Sequence, residues 1–335
     1  MVYKVAINGF GRIGRMVLRA LVESGRGDFQ VVAINDLAPA SRLGHLLKYD
    51  SVHGAFPKVV EANDDTITVD GQPIKVFSER DPQDLPWGEH KIDIVMECTG
   101  FFLTKETAGK HIKAGAKRVL LSAPAKDDTK TIVFGVNDGE INGDDVIVSN
   151  ASCTTNALAP VLKVLDDNFG VEGGMMTTIH AYTGDQPTHD GTHKDPYRGR
   201  AAALSMIPTS TGAAKAIGKV LPNLDGALSG VAVRVPVANV SMVDLSVTTK
   251  RPASVETVQK AFKVESEGRS NGVLGYIDEA LVSTDLNHNP NSSNFVEDQT
   301  LVQGGHLVRI MSWYDNEWGF SNRMLDTASV MANFL

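Results

Sequence analysis

The chain has 335 residues, 42% hydrophobic and 21% charged, which suggests about two domains with cores that need no covalent staples and excludes disordered, collagenous or coiled-coil chains. A formal net charge of −8 argues against nucleic acid or an anionic membrane as the main partner. Two cysteines, no leader-like N-terminus and no stretch near the roughly 18 apolar residues of a membrane span point to a reducing compartment, the cytoplasm.

Val2–Asn8 reads as a strand that runs into a glycine-rich turn, Gly9–Gly14. Met16, Val17, Leu18, Ala20, Leu21 and Val22 then supply apolar positions over a helix-length stretch ending at Gly25, and Phe29–Asn35 reads as a second strand ending in Asp36. Further strand-like runs are Thr66–Val69, Ile74–Phe77, Ile92–Met96, Arg118–Ser122, Thr131–Phe134 and Val146–Val148. Strands alternating with helical stretches predict an α/β domain over residues 1–151, a Rossmann-type doubly wound parallel sheet.

After about residue 150 the texture changes. Cys153–Asn168 reads as a helix closed by Gly170, and Thr177–Thr183, Gly230–Pro236, Asp244–Thr249 and Leu307–Tyr314 read as longer strands. Ser254–Lys263 and Asn322–Met331 read as helices. We expect a second, α+β domain over 152–318 with a mostly antiparallel sheet. Between Gly184 and Arg200 lies a polar stretch rich in Gly, Pro, His and Asp, the kind of long loop that is usually functional.

Asn8-Gly9-Phe10-Gly11-Arg12-Ile13-Gly14 contains G-x-G-x-x-G. The first glycine permits a tight turn, the second admits a pyrophosphate to the backbone, and the third lets helix and strand pack closely. The helix start then aims N–H groups at the phosphates. Glycines are common in turns, so the string alone is weak; the strand before it, the helix after it and Asp36 about 20 residues on make the case. A carboxylate at Asp36 suits both ribose hydroxyls and repels a 2′-phosphate, which favours NAD over NADP; its plain reading is a loop cap. Arg80 is placed to reach an adenine edge or to be merely exposed, and Ser122 ends a strand facing the expected ligand crevice.

Cys153 falls in the first turn of a helix, where the helix N-terminus and a nearby imidazole stabilise a thiolate. A lone cysteine is usually core, but Ser152, Thr154, Thr155 and Asn156 make these surroundings polar. Cys98, within an apolar strand, reads as core. Alternation places Thr178, His180 and Tyr182 on one strand face, where His180 is either a half-buried core residue or the base that Cys153 needs. His189 and His193 have metal-like spacing, but Pro187 and Gly191 oppose a helix there, so no metal site is expected. The segment Pro208–Lys215 is rich in hydroxyls and opens a short helix, either an anion cradle or an ordinary cap. Arg234, between apolar neighbours in a strand, calls for an anionic partner. Arg198 and Arg200 end the long loop and offer the same chemistry or a solvated surface.

Taken together, Ile7–Arg15, Leu47-Lys48-Tyr49-Asp50-Ser51, Ser149–Asn156, His180-Ala181-Tyr182-Thr183, Thr211-Gly212-Ala213-Ala214-Lys215 and Ser312–Glu317 resemble the phosphorylating glyceraldehyde-3-phosphate dehydrogenases over essentially the whole chain. The resemblance implies that Cys153 is the nucleophile and His180 its base. It implies that Gly9, Gly11, Arg12, Ile13, Asp36, Arg80, Ser122 and Asn316 contact NAD, with Asn316 on the nicotinamide carboxamide. Ser152, Thr154, Thr183, Arg198, Thr211, Gly212 and Arg234 would hold the substrate phosphate and inorganic phosphate. A homotetramer is implied, with the loop near 184–206 at subunit contacts and a last helix, about 319–335, packed on the first domain. Three departures are visible: Ala157 stands where a second cysteine is usual, Phe320 where a tyrosine is common, and Gly191-Thr192 where bulkier residues often flank the adenine ribose. The alternatives are erythrose-4-phosphate oxidation, a cysteine hydrolase without a dinucleotide, and a non-enzymatic binding protein.

Overall fold

The computed structural model describes residues 2–335. The chain forms two compact units. One comprises the chain up to Ile132, Asp138–Ala151 and Ser321–Leu335; the other comprises Val133–Asn137 and Ser152–Phe320.

The first unit contains β1 (Tyr3–Asn8), α1 (Arg12–Glu23), β2 (Phe29–Asn35), α2 (Ala40–Lys48), a small hairpin of β3 (Tyr49–Asp50) and β4 (Gly54–Ala55), and β5 (Val60–Ala62). There follow β6 (Thr66–Val69), β7 (Gln72–Phe77), α3 (Trp87–His90), β8 (Ile94–Glu97), α4 (Lys105–Lys113), β9 (Arg118–Leu121) and β10 (Ile147–Ser149). Eight strands form one sheet in the order β10-β9-β8-β1-β2-β7-β6-β5. It is parallel from β10 to β7, in line with the expected doubly wound fold. The edge turns antiparallel at β6 and β5, where Asp70 and Gly71, both at positive φ, close a tight hairpin. The chain reverses across β1, and in open α/β sheets the ligand crevice lies at such a switch point, beyond the strands' carboxyl ends. Asn8, Asn35 and Glu97 end adjacent strands in register there.

One predicted strand is absent. Thr131–Phe134 makes only an isolated bridge from Thr131 to Ser149, and the chain then turns where the Asn137 side chain accepts the Val133 N–H at 2.8 Å. The apolar run reflects full burial of Ile132 and Val133 and not sheet pairing.

The second unit contains α5 (Cys153–Phe169), β11 (Val171–Ala181), β12 (Ile207–Ser210), α6 (Ala213–Val220), β13 (Leu228–Val235), β14 (Ser241–Thr249) and α7 (Val255–Glu267). It continues with β15 (Leu274–Ile277), β16 (Ser293–Val296), β17 (Leu301–Gln303) and β18 (Leu307–Tyr314). Its sheet runs β12-β13-β11-β14-β18-β16-β15, with β17 beside β18, and only the β11–β13 and β15–β16 pairs are parallel. Ser152 caps α5 by accepting the Thr155 N–H at 3.1 Å. Leu158, Val161, Leu162 and Leu165 are fully buried, and α5 packs against β11, β14, β16 and β18. Along β11, Met176, Thr178 and His180 are buried, whereas Met175 is 73% exposed on the other face.

α8 (Trp318–Ala332) begins in the second unit and continues into the first. Within the first unit Arg26 pairs with Asp326, and the Ser329 hydroxyl donates to Asp28 at 2.7 Å. Among the described residues no helix is long and apolar enough to cross a membrane.

Candidate active site

In the first unit the glycines have distinct physical jobs. Gly9 sits at φ +89°, and a Cβ there would lie 2.8 Å from the Thr99 backbone nitrogen. A Cβ on Gly14 would lie 2.2 Å from the Gly9 carbonyl oxygen, so close packing of α1 on β1 demands glycine. Gly11 caps α1 without a side-chain hydrogen bond and faces open space. A cleft of about 500 Å³ opens there, lined by Gly9, Gly11, Asp36 and Arg80 together with Asn8, Asn35, Leu37, Glu79, Cys98, Thr99, Phe101 and Phe102. The uncapped helix start and the open face of Gly11 suit a pyrophosphate, so this cleft fits a dinucleotide.

Asp36 is half-buried; its carboxylate accepts the Phe10 N–H at 2.8 Å and the Ala38 N–H at 3.0 Å, which fixes it at the cleft wall. Arg80 is exposed but lines the cleft. The Arg12 guanidinium is engaged by Asp50, and Arg12 and Ile13 supply the first backbone N–H groups of α1. Burial alone would raise the Asp50 carboxyl, but the His53 and Val52 N–H groups and Arg12 hold it down at about 2. Cys98 is not plain core: it lines the cleft, with burial and Glu97 pushing its thiol up to about 12 and the Ser122 hydroxyl bonded to it.

Sequence reasoning missed the floor beneath this cleft. Glu97 and His111 are both fully buried, with Oε2 and Nε2 2.9 Å apart. The Trp87 indole N–H donates to His111 Nδ1 at 2.9 Å; an indole can only donate, so His111 carries its proton on Nε2 and donates to Glu97. Asn8 donates to Glu97 at 2.6 Å, the Thr99 N–H donates at 2.8 Å, and Asn35 donates to Asn8 at 2.7 Å. No local sequence pattern announces this network, which parallel registration brings together.

In the second unit, Cys153 Sγ lies 3.6 Å from His180 Nε2. Burial pushes the thiol up, against the pull of Arg234 and of the Thr154 hydroxyl and N–H. Burial first, then Arg234, lowers the His180 pKa to about 3. Desolvation of both groups therefore opposes the help that Arg234, Thr154 and the backbone N–H groups at the helix start offer a thiolate. Registration of β11 with β13 sets His180 opposite Arg234. Tyr314, also missed from sequence, is buried with its hydroxyl 3.0 Å from Thr154 Oγ1 and 2.8 Å from Thr178 Oγ1, and its ring meets His180 edge-on.

Arg234 Nη1 donates to the Ala181 carbonyl at 3.0 Å and to Thr183 Oγ1 at 3.1 Å, while its buried Nε has no partner among the described residues. Arg198 donates to Asp185 at 3.0 Å and to Thr209 Oγ1 at 3.0 Å. Asp185 also accepts a hydrogen bond from the Thr183 hydroxyl at 2.6 Å, an acid among cations that no local sequence pattern singles out. Thr211 Oγ1 accepts the Ala213 N–H at 3.2 Å, and Gly212 caps α6. Pro208–Ser210, expected in a helix lead-in, instead forms part of β12. Arg200 is exposed and pairs with Asp190. Asn316 is 5% exposed, with its Oδ1 held by the Ser241 hydroxyl at 2.7 Å. Among the described residues no cluster of three or more metal-ligating side chains is gathered.

A dinucleotide cleft in one unit and a thiol–imidazole pair in the other define a nicotinamide-dependent oxidoreductase. The sequence profile of the glyceraldehyde 3-phosphate dehydrogenase NAD binding domain matches residues 3–105, and that of the C-terminal domain matches 152–316. The chain belongs to the glyceraldehyde-3-phosphate dehydrogenase family. It is 59% identical to the glyceraldehyde-3-phosphate dehydrogenase of Cereibacter sphaeroides over 335 residues, covering 100% of both chains. It is likewise 59% identical to that of Xanthobacter flavus over 99% of each chain, and 53% identical to glyceraldehyde-3-phosphate dehydrogenase 1 of Bacillus cereus over 98% of each.

Proposed function

We propose that the protein catalyses NAD-dependent oxidative phosphorylation of D-glyceraldehyde 3-phosphate to 1,3-bisphosphoglycerate, in glycolysis and gluconeogenesis. The observation that carries the mechanism is the 3.6 Å approach of Cys153 Sγ to His180 Nε2. The Ala181 carbonyl, 2.7 Å from Nδ1, can only accept and is closer than the Arg234 Nη1 at 3.0 Å, which has the same carbonyl and Thr183 Oγ1 to donate to; this favours the proton on Nδ1, with the Nε2 lone pair facing the thiol. His180 takes the thiol proton as Sγ attacks the aldehyde carbon and returns it to the alkoxide, giving a thiohemiacetal. His180 then removes the hydroxyl proton while the carbon gives up hydride, leaving a thioester on Cys153. NAD, when bound, supplies the hydride acceptor. Inorganic phosphate attacks the acyl carbon, and Cys153 leaves as a thiolate.

Gly9, Gly11, Asp36 and Arg80, the backbone of Arg12 and Ile13, and Ser122 and Asn316 would hold NAD. Ser152, Thr154, Thr183, Arg198, Thr211, Gly212 and Arg234 would hold the two anions; the unpartnered Nε of Arg234 supports this. The relatives' shared name favours this substrate over erythrose 4-phosphate. We further propose a cytoplasmic homotetramer: Met175, Tyr197, Leu204, Met206 and Val231 leave apolar surface that a second copy would cover, and both cysteines are free thiols. NADH formation that requires both glyceraldehyde 3-phosphate and inorganic phosphate tests the reaction. Equal rates without phosphate, or faster turnover of erythrose 4-phosphate, would overturn it. Sedimentation velocity tests the assembly.

A further inference from the structure

We propose that Ser241 is a positioning residue that fixes which end of the Asn316 amide meets the cofactor, making Asn316 a hydrogen-bond donor only, matched to the carbonyl oxygen of a carboxamide. The proposal rests on the reading that Asn316 holds the nicotinamide carboxamide.

Ser241 opens β14 and is 1% exposed. It follows Val240, a β-branched residue held at φ +67°, where such side chains are rarely found. The Ser241 hydroxyl makes two hydrogen bonds of opposite sense. It accepts the Ala181 N–H at 3.0 Å and donates to Asn316 Oδ1 at 2.7 Å. The peptide N–H can only donate, so it occupies an oxygen lone pair and leaves the single hydroxyl proton for Asn316. Turning the Asn316 amide over would present NH₂ to that proton and leave a buried O–H without an acceptor, which is costly. Asn316 therefore keeps its oxygen inward, and Nδ2 has no partner among the described residues.

The backbone at this point is also fixed. Asp315, 1% exposed, accepts the N–H groups of His288 at 2.7 Å, Glu317 at 3.0 Å and Trp318 at 2.8 Å, and the Asn239 amide at 2.8 Å. Ala181 contributes twice: its N–H sets Ser241, and its carbonyl sets the proton on His180 Nδ1. One peptide segment thus orients both the base and the amide.

The test uses the full-length enzyme with NAD and with the acetylpyridine analogue, which keeps the carbonyl oxygen but carries a methyl in place of the amide nitrogen. In Ser241→Ala the Asn316 amide can present either end. NAD can answer both, whereas the analogue is held only by the roughly one half of the amides that present Nδ2, so the ratio of KM for the analogue to KM for NAD should rise about twofold. A general loss of folding cancels in this ratio. Ser241→Thr, which restores the hydroxyl, should return the ratio to the native value. An unchanged ratio in Ser241→Ala, with Asn316→Ala raising the KM for NAD, would overturn the role of Ser241. An unchanged KM in Asn316→Ala would remove the carboxamide reading itself, and the proposal with it.

Discussion

Arg234 Nη1 lies 3.0 Å from His180 Nδ1, at the edge of the imidazole away from the Cys153 thiol. The guanidinium and the Nδ1–H share the Ala181 carbonyl as acceptor, so the cation disfavours a second proton on the ring while the base lone pair stays aimed at sulfur. His180→Asn should lower turnover roughly 10²–10⁴-fold, the span of a lost general base. It should also slow iodoacetamide alkylation of Cys153 at neutral pH. Cys153→Ser should abolish oxidation while NAD binding, measured by titration, stays within a few-fold. An alkylation pH profile identical in the native enzyme and His180→Asn would remove the pairing.

The same lowered pKa predicts how stability responds to acid. His180 titrates near 6.5 when unfolded and near 3 when folded. Below about pH 6.5 the unfolded chain binds a proton that the folded chain refuses, so stability contributed by the neutral, buried ring is lost as pH falls toward 3. The loss is on the order of several kcal/mol over that window. His180→Gln should therefore show a shallower decline of Tm between pH 6.5 and 4 than the native protein. Parallel Tm curves would mean that other groups dominate acid unfolding.

Local chemistry made some of this legible in the sequence and three-dimensional pairing hid the rest. The glycine spacing after β1, Asp36 at the end of β2 and the polar start of α5 each follow from residues close in the chain, and the parallel sheet follows from their alternation. The run Thr131–Phe134 reads as a strand without being one because burial and sheet pairing favour the same apolar residues. β12 and β16 leave no strand pattern because they are short and carry polar residues, and β17 because it is only three residues long. Tyr314, Asp185, Ser241 and the Glu97–His111 pair draw their meaning from partners on distant segments. Cys98 reads as core because its apolar strand conceals that its end opens on the cleft.

Arg234 is expected to act on the phosphorylated end of the substrate. Its buried Nε lacks a partner among the described residues, and a guanidinium in that state favours an anion. Arg234→Ala should reduce kcat/KM for glyceraldehyde 3-phosphate by about 1.5–3 kcal/mol, roughly ten- to a hundredfold, with a smaller loss for unphosphorylated glyceraldehyde. Equal losses for the two aldehydes would assign Arg234 to holding His180 and Thr183 instead.

The buried pair beneath the cleft is expected to be structural and strongly coupled. His111→Phe keeps the ring but removes a donor from the Glu97 carboxylate and the acceptor of the Trp87 indole N–H. Leaving buried hydrogen-bonding groups of this kind without a partner costs about 1–3 kcal/mol for each group. Urea unfolding should show that loss, together with altered Trp87 fluorescence, while the double variant Glu97→Gln/His111→Phe should lose less than the sum of the two single changes. Additive losses would show that the two side chains do not act as a pair.

Cofactor choice turns on Asp36, where the carboxylate serves two purposes. It stands at the wall of the dinucleotide cleft, and it also holds the Phe10 N–H of the glycine-rich turn at 2.8 Å. A ribose 2′-phosphate brought within a few ångströms would be repelled by about 1 kcal/mol in a water-like medium and by about 4 kcal/mol at an effective dielectric near 20. The Phe10 and Ala38 N–H groups pin the carboxylate in place, so it cannot easily swing aside to reduce that repulsion. NAD should therefore be preferred by about tenfold or more in kcat/KM, with weak NADP activity. Asp36→Asn keeps an acceptor for the Phe10 N–H and removes the charge, so it should narrow the gap chiefly by improving NADP. Asp36→Ala removes both, and should also cost NAD efficiency by loosening the turn at Gly9–Gly11. Steady-state kinetics with both cofactors on the three proteins distinguish these effects. Equal efficiency with NAD and NADP in the native enzyme would show that the Asp36 charge does not govern the choice.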